Sequence, residues 1–304
     1  MKSLAIFVIA LHYILAINAS INITITKNDS DEKRVIHKGQ HDIVKIYPSL
    51  PLKEELQKIF VFFLEADINN DGSKIAQGLY VIVENSTTKL HDNGKDIDGD
   101  AEGNVFFACK EGIYTYNHKE NKAYKYGNLN ESIISLAVEN SSGIIYALTE
   151  NHDLYKIFDN GSKSDVDNRV KNAQEIVLDT LDNLYYYDNE KNVYQVKDQR
   201  VNKIEGLPKN PSKMVMIKIP LLIDIKGIVV LADDVPYVVY SNGTSIIAPE
   251  NFGLTKSKPT AFSADLVLVI YFAIEKKLYQ YDMALNMFSD VLSAVGDYYK
   301  FSLN

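Results

Sequence analysis

The segment Asp100-Ala-Glu-Gly-Asn-Val-Phe-Phe-Ala-Cys109 shows the plan on which the chain is built, because the same plan returns twice. It recurs in Glu139-Asn-Ser-Ser-Gly-Ile-Ile-Tyr-Ala-Leu148 and in Asp179-Thr-Leu-Asp-Asn-Leu-Tyr-Tyr-Tyr-Asp188. Each copy begins with an acidic turn that contains Gly or Asn, and it continues with β-branched and aromatic residues, which favour strands. The sequence therefore predicts a repeated β unit.

A further strand centred on a tyrosine follows each copy, and these tyrosines give the length of the unit. They are Tyr80, Tyr114, Tyr155, Tyr194, Tyr237 and Tyr279, at intervals of 34, 41, 39, 43 and 42 residues. A unit of about 40 residues with several short strands is the size of a four-stranded propeller blade. One blade cannot cover both faces of its sheet, so blades must pack around an axis. We predict an all-β, six-bladed β-propeller with four-stranded antiparallel blades; two irregular β-sandwiches are the alternative.

The strands of a blade are named A to D from the axis outward. For the third blade they are predicted at Ile133–Val138, Ile144–Thr149, Leu154–Phe158 and 162–167. Val35–Tyr47 is expected to supply an inner or closing strand, and Met287–Leu303 is expected to complete the last blade. Pro220 and Pro236 are expected to make the fifth blade irregular.

The N-terminus has the pattern of a secretory signal peptide. Lys2 precedes the apolar run Leu4–Ile14, and the small residues Ala16 and Ala19 follow it. The run is shorter than the roughly 20 residues that a membrane span needs, which argues against a membrane anchor. We expect a signal peptide at 1–19, a mobile segment at 20–34 and the propeller at 35–304, in a protein secreted into extracellular fluid.

Sequons for N-glycosylation agree with export. The Asn-x-Ser/Thr acceptors are Asn22, Asn28, Asn85, Asn130, Asn140, Asn160 and Asn242. Cys109 is the only cysteine, so no disulfide can form within the chain. A lone cysteine in a strand is expected to be a small buried apolar residue rather than a reactive thiol.

The charge and the motifs limit the functional class. A net charge of −8 disfavours the capture of nucleic acid or of an anionic membrane. The sequence contains no Gly-x-Ser-x-Gly elbow, phosphate-binding glycine loop or Cys/His metal spacing. His37 and His41 lie about 13 Å apart in an extended segment, which is too far for a shared metal. The run 96–102 resembles a calcium loop, but Ala101 and Phe107 replace its required Gly and Glu, so a solvated turn is predicted. We expect neither a metal nor a cofactor.

Aromatic residues and cations are the candidates for ligand binding. Strands B end and strands A begin around the mouth of the central channel of a propeller, where flat rings beside cations suit a planar anionic ligand. The predicted site consists of Phe63, Glu65, Phe107, Lys110, Tyr187, Lys213, Lys258, Tyr271 and Phe272. The alternative role of the aromatic residues is packing between blades.

The chain resembles the ommochrome-binding proteins of moths. The resemblance rests on the unit from Asp100 to Tyr126, with Gly-Asn-Val-Phe-Phe, Glu-Gly-Ile-Tyr-Thr-Tyr-Asn and Lys-Ala-Tyr-Lys-Tyr, and it continues to about Asp282. It implies a secreted, non-enzymatic haemolymph carrier of phenoxazinone pigments or their tryptophan-derived precursors, and it identifies no binding residue. We expect the carrier to be monomeric.

Two other functions remain open from the sequence. One is a calcium-dependent lactonase or esterase, in which Glu65, Asn189 and Asp233 would converge on an axial ion. The other is a propeller that binds a partner protein through its rim or one face.

Overall fold

The computed structural model describes residues 34–51, 58–69, 72–197, 199–219, 226–248, 259–264 and 269–282. These residues form six sheets, each of four antiparallel strands. Together the sheets make a six-bladed β-propeller, which confirms the predicted fold. The predicted signal peptide, the segment 20–34 except its last residue, and the tail 287–303 lie outside the described residues.

The first five blades each consist of four consecutive strands. Blade 1 comprises β2 (Asp42–Ser49), β3 (Phe60–Ile68), β4 (Lys74–Val83) and β5 (Ser86–His91). Blade 2 comprises β6 (Gly94–Gly99), β7 (Val105–Cys109), β8 (Gly112–Asn117) and β9 (Lys122–Tyr126). Blade 3 comprises β10 (Ile133–Val138), β11 (Ile145–Thr149), β12 (Leu154–Phe158) and β13 (Lys163–Val166). The four strands of blade 3 agree with their predicted positions to within one residue.

Blade 4 comprises β14 (Glu175–Leu178), β15 (Leu184–Tyr187), β16 (Val193–Lys197) and β17 (Arg200–Lys203). Blade 5 comprises β18 (Met214–Lys218), β19 (Gly227–Ala232), β20 (Val235–Tyr240) and β21 (Ser245–Ile247). Pro236 lies inside β20, where it is paired with Leu231, so it does not interrupt this blade as predicted. Pro220 lies outside the described residues.

Blade 6 closes the ring with a strand from the beginning of the chain. It comprises β22 (Ala261–Ala264), β23 (Val269–Ile274), β24 (Lys277–Asp282) and β1 (Val35–Lys38). Strand β1 is the outer strand and pairs antiparallel with β24. The segment Met287–Leu303, which was predicted to complete this blade, lies outside the described residues. The segment Val35–Tyr47 supplies both the closing strand and the start of the first inner strand.

The six repeat tyrosines occupy the same position in every blade. Each lies on strand C, from Tyr80 in β4 to Tyr279 in β24. In the first five blades the tyrosine packs against the apolar core shared with the preceding blade of the ring. The repeat is thus visible in the sequence because each sheet needs one large ring to fill the same wedge between blades.

In the repeats that begin with Asp100 and Asp179, the acidic residue holds the turn between strands A and B. The Asp179 carboxylate accepts hydrogen bonds from the backbone N–H groups of Leu181 and Asn183, both at 2.9 Å, and from the Tyr185 hydroxyl at 3.1 Å. Asp100 accepts the backbone N–H of Asn104 at 3.0 Å in the same way. A short acidic side chain that bonds the backbone of its own turn favours a tight hairpin. This explains why the repeat begins with an acidic turn.

Candidate functional site: a charged channel closed at one end

The six inner strands run parallel around the axis, so the propeller has two different ends. Asp96 Oδ2 accepts the N–H of Leu136 at 2.9 Å, and Asp98 Oδ2 accepts the N–H of Val138 at 2.8 Å. A step of two residues along β6, from Asp96 to Asp98, matches a step of two residues in the same direction along β10, from Leu136 to Val138. Strands β6 and β10 are therefore parallel neighbours. We call the end where the A strands begin the mouth end, and the end where they finish the far end.

Each inner strand has an edge that faces the channel, and on β10, β14 and β18 polar side chains from the preceding blade bond to that edge. Besides Asp96 and Asp98, Ser135 Oγ accepts the N–H of Ile176 at 3.2 Å, and Glu175 Oε2 accepts the N–H of Met216 at 3.3 Å. Unpaired backbone groups at a sheet edge need such partners. The channel polar groups therefore join neighbouring blades, and they also line the cavity.

Two lysines balance part of the negative charge in the channel. Lys45 Nζ in blade 1 lies 2.8 Å from Asp96 Oδ1 in blade 2. Lys218 Nζ in blade 5 lies 3.6 Å from Asp98 Oδ1 in blade 2. Blades 2 and 5 stand opposite each other in a ring of six, so this second pair crosses the axis. Because Lys218 ends β18 and Asp98 lies near the end of β6, the pair obstructs the channel towards its far end.

The mouth of the channel presents both signs of charge. Glu175 is the first residue of its inner strand in blade 4, opposite the blade that carries Lys45. Burial raises the pKa of Glu175, although the charges of Lys45 and Lys74 oppose this effect. Burial alone would lower the pKa of Lys45, but the attraction of Asp96, Glu175 and Asp98 outweighs it, so the net effect is a raised pKa. The Lys45 side chain is 37% exposed, which leaves room beside it for solvent or a ligand.

One aromatic residue of the predicted site lies beside this mouth. Tyr187 is the register partner of Glu175 in the sheet of blade 4, and it is half-buried against the apolar core between blades 4 and 5. Burial raises the pKa of the Tyr187 phenol, and the negative charge of Glu175 adds to the effect. One end of the channel thus combines the Glu175 carboxyl group, the Lys45 ammonium group and the Tyr187 phenol ring, and the charge of Lys74 also acts on Glu175.

The other predicted aromatic residues do not face the channel mouth. Phe63 and Tyr271 are 0% and 1% exposed and pack in the core between blades 6 and 1. Phe107 is 0% exposed in the core between blades 1 and 2, where its ring centroid is 5.5 Å from that of Phe62. Phe272 is 1% exposed and stacks on Tyr279. Placing these four residues at the mouth was wrong, because every face of their rings is needed to fill the wedges between blades.

The predicted polar residues are dispersed over the mouth end. Glu65 Oε1 lies 3.2 Å from His37 Nε2, where the ring closes between blades 6 and 1. Lys110 and Lys213 are exposed, and Lys213 pairs with Asp234 at 3.6 Å. Lys258 lies outside the described residues. The eight predicted residues that the structure describes therefore form no single site, and among them only Tyr187 belongs to the charged mouth.

The residues considered for a lactonase are engaged in separate contacts. Glu65 contacts His37, while Asp233 Oδ1 accepts the N–H of Lys213 at 2.9 Å, and Asn189 is exposed in the turn after β15. Among the residues that the structure describes, no three His, Cys, Asp or Glu side chains are grouped so that they could hold a metal ion. The arrangement offers no calcium cage of the kind that this chemistry needs.

Sequence reasoning missed the residues that line the channel: Lys45, Asp96, Asp98, Ser135, Glu175 and Lys218. The solvated turn predicted for 96–102 is wrong at its start, because Asp96 and Asp98 alternate around Ile97 on strand β6 and are nearly buried. Charged residues at alternate positions of a predicted innermost strand were the available signal, because alternate side chains share one side of a strand.

Comparisons with known proteins add information on the fold. No family model and no curated protein matches the chain. A structural genomics protein of unknown function from Bacteroides thetaiotaomicron is similar in structure, with 13% identity, a TM-score of 0.52, and coverage of 81% of this chain and 70% of that chain. PorZ, a surface component of the type-IX secretion system of Porphyromonas gingivalis, matches with 9% identity and a TM-score of 0.50 over 83% of this chain and 38% of its own. At these identities the likeness concerns the fold alone. In the described parts of the chain, no helix has the length and apolar character needed to cross a membrane.

Proposed function

We propose that the protein is a secreted, non-enzymatic carrier that binds a small aromatic molecule at the mouth of its channel. The observation that carries this proposal is a charged channel that is obstructed towards one end by Lys218 and Asp98. Such a cavity can retain a small molecule, whereas an open conduit would not. Concave sites with a few convergent polar groups are the usual place for small ligands.

The groups at the mouth favour a ligand that carries both charges and a ring. Lys45 and Lys74 can attract a carboxylate, Glu175 can attract an ammonium group, and Tyr187 can contact an aromatic ring. Tryptophan-derived compounds combine these three features. Together with the resemblance to the ommochrome-binding proteins, this chemistry supports a pigment of the ommochrome class or one of its precursors as the cargo.

Binding can be followed without a label, because the chain has 20 tyrosines and no tryptophan. Xanthommatin added to the purified protein is expected to quench tyrosine fluorescence to saturation and to co-elute with it in gel filtration. Glu175→Gln and Lys45→Met should each weaken binding about tenfold or more, since a charge-assisted hydrogen bond contributes roughly 1.5–3 kcal/mol. Lys213→Met is the matched control, because Lys213 is exposed and pairs with Asp234 in the turn between β19 and β20 rather than with the group formed by Lys45, Glu175 and Tyr187. Unchanged fluorescence at saturating pigment, or equal loss in all three variants, would contradict the proposed site.

Export has its own test. The full chain expressed in insect cells should accumulate in the medium without its first residues, and Edman sequencing of the secreted form should begin near residue 20. Retention of the intact N-terminus inside the cells would contradict the secreted part of the proposal.

A further inference from the structure

Three sequons occupy the same place in three alternate blades. Asn85, Asn160 and Asn242 each lie in the turn between strands C and D, of blades 1, 3 and 5 respectively. All three side chains are exposed. Every second blade of a six-bladed ring is about 120° from the next, so the three positions are evenly spaced around the rim.

The other two described sequons lie elsewhere and are held by the protein. Asn140 is half-buried in the A–B turn of blade 3, and its Nδ2, the atom that a glycan would modify, donates to Asp182 Oδ1 at 3.4 Å. Asn130 lies in the loop between blades 2 and 3, where its Oδ1 accepts a hydrogen bond from Lys125 Nζ at 2.8 Å. Asn242, like Asn130, is bonded through its Oδ1, which accepts the Thr244 hydroxyl of its own sequon at 2.8 Å, so only Asn140 has its Nδ2 engaged.

Among the strands that follow the three rim sequons, β21 has the least protective charge of any outer strand. Strand D of a blade is an exposed edge, and lysine or arginine on an edge strand hinders pairing with another chain. Strand β9 carries two cations, Lys122 and Lys125, and strand β17 also carries two, Arg200 and Lys203. Strands β5 and β13 each carry one lysine, as β1 of blade 6 does. Strand β21 carries none, and its Ile246 and Ile247 are 48% and 64% exposed.

We infer that Asn85, Asn160 and Asn242 carry N-linked glycans that shield the outer edge strands of blades 1, 3 and 5 from edge-to-edge association. A hydrated glycan at the start of an edge strand blocks the approach of a second strand, as a charged side chain does in blades 2 and 4. The rim position also leaves the axial mouth clear. The inference rests on the export of the chain, and it is independent of the proposed ligand.

The first test maps the glycans on the wild-type chain. The full chain is secreted from insect cells, deglycosylated in heavy-oxygen water, digested, and analysed by mass spectrometry for labelled aspartate at each former sequon. Label is expected at Asn85, Asn160 and Asn242 and is expected to be absent at Asn140. A secreted chain without label at the three rim positions, or with label at Asn140, would overturn the assignment. Failure of secretion would overturn it together with the export part of the proposed function.

The second test examines shielding on protein that has already folded. Enzymatic removal of the glycans under native conditions should cause concentration-dependent self-association, measured by light scattering and analytical ultracentrifugation. Asn242→Gln should reproduce most of this effect, because β21 is the edge without a cation, whereas Asn130→Gln should not. Adding Ile247→Lys to the Asn242→Gln variant should restore the monomer. Deglycosylated protein that stays monomeric would overturn shielding while leaving ligand binding untouched.

Discussion

Lys218 Nζ in blade 5 lies 3.6 Å from Asp98 Oδ1 in blade 2, so one ion pair joins opposite sides of the ring. The other oxygen of the same carboxylate, Asp98 Oδ2, accepts the backbone N–H of Val138 in blade 3 at 2.8 Å. A single aspartate therefore contacts two other blades and helps to close the channel. Of its two bonds, the one to the backbone is the more important for stability, because a buried N–H without a partner is costly whereas a partly exposed ion pair contributes little.

Asp98 variants should separate these two contributions. Asp98→Ala removes the acceptor of the Val138 N–H and should lower the free energy of unfolding by about 1–3 kcal/mol. Asp98→Asn keeps an acceptor oxygen, and Lys218→Met removes only the ion pair, so each should cost about 1 kcal/mol or less. Urea denaturation followed by circular dichroism measures all three. Equal losses for Asp98→Ala and Asp98→Asn would show that the charge rather than the hydrogen bond is what matters.

Glu175 should make stability depend on pH in a defined direction. Burial raises its pKa in the folded protein above the ordinary value of 4.5, so the folded state binds this proton more tightly than the unfolded state does. The protonated form favours folding, and its stabilising effect is present below pH 4.5 and is lost as the pH rises through the folded pKa. Glu175→Gln cannot ionise and should therefore gain stability relative to the wild type as the pH increases from about 4 to about 8.

The control for this titration is Glu190→Gln, since Glu190 is exposed in a turn of the same blade. Unfolding free energies of wild type and both variants are compared at several pH values. A difference between wild type and Glu175→Gln that stays constant over the whole range, or that grows towards low pH, would refute the expected direction.

The fold could be predicted because its signals are local and repeated. The turn aspartates bond the backbone of their own hairpin, as Asp179 does, and each repeat tyrosine fills the same wedge, so both leave a period in the sequence. Closure was only partly predictable. Val35–Tyr47 was expected to supply either an inner or a closing strand, and only the register of β1 with β24 identifies Val35–Lys38 as the closing strand.

The channel was harder to predict because its residues contact one another across blades. The Lys45–Asp96 pair connects positions 51 residues apart in number, and the Lys218–Asp98 pair connects positions 120 apart, so no spacing rule applies to them. The aromatic residues were misplaced for a physical reason. Phe63 and Phe107 are residue types that often contact planar ligands, but here their rings fill the space between blades.

Ring closure gives a sharp test of side-chain packing at Gly39. A β-carbon added at this residue would lie 2.4 Å from Glu65 Oε1, which is held by its contact with His37. Gly39→Ala should therefore cost about 1–3 kcal/mol, as overpacking usually does. In a Glu65→Ala background the same substitution should be nearly neutral, because the obstructing oxygen is gone. A double-mutant cycle measured by urea denaturation checks this, and additive costs would show that the two residues do not compete for the space.

Cys109 should be chemically silent until the propeller opens. It is 0% exposed in the core between blades 1 and 2, and burial, aided by the charge of Glu111, raises the pKa of its thiol to about 12. The thiolate is the reactive form of cysteine. The raised pKa keeps the thiolate fraction small and burial keeps reagents away, so both protect Cys109. Ellman's reagent at about pH 8, near the pKa of a free thiol, should therefore release no colour from the native protein and one equivalent in denaturant.

The reaction rate should rise in Gly39→Ala and Asp98→Ala if those changes loosen the ring as a whole, while Lys213→Met should leave it unchanged. Rapid labelling of the native wild type would mean that blades 1 and 2 separate locally, and the packing described for Phe62 and Phe107 could not then hold in solution.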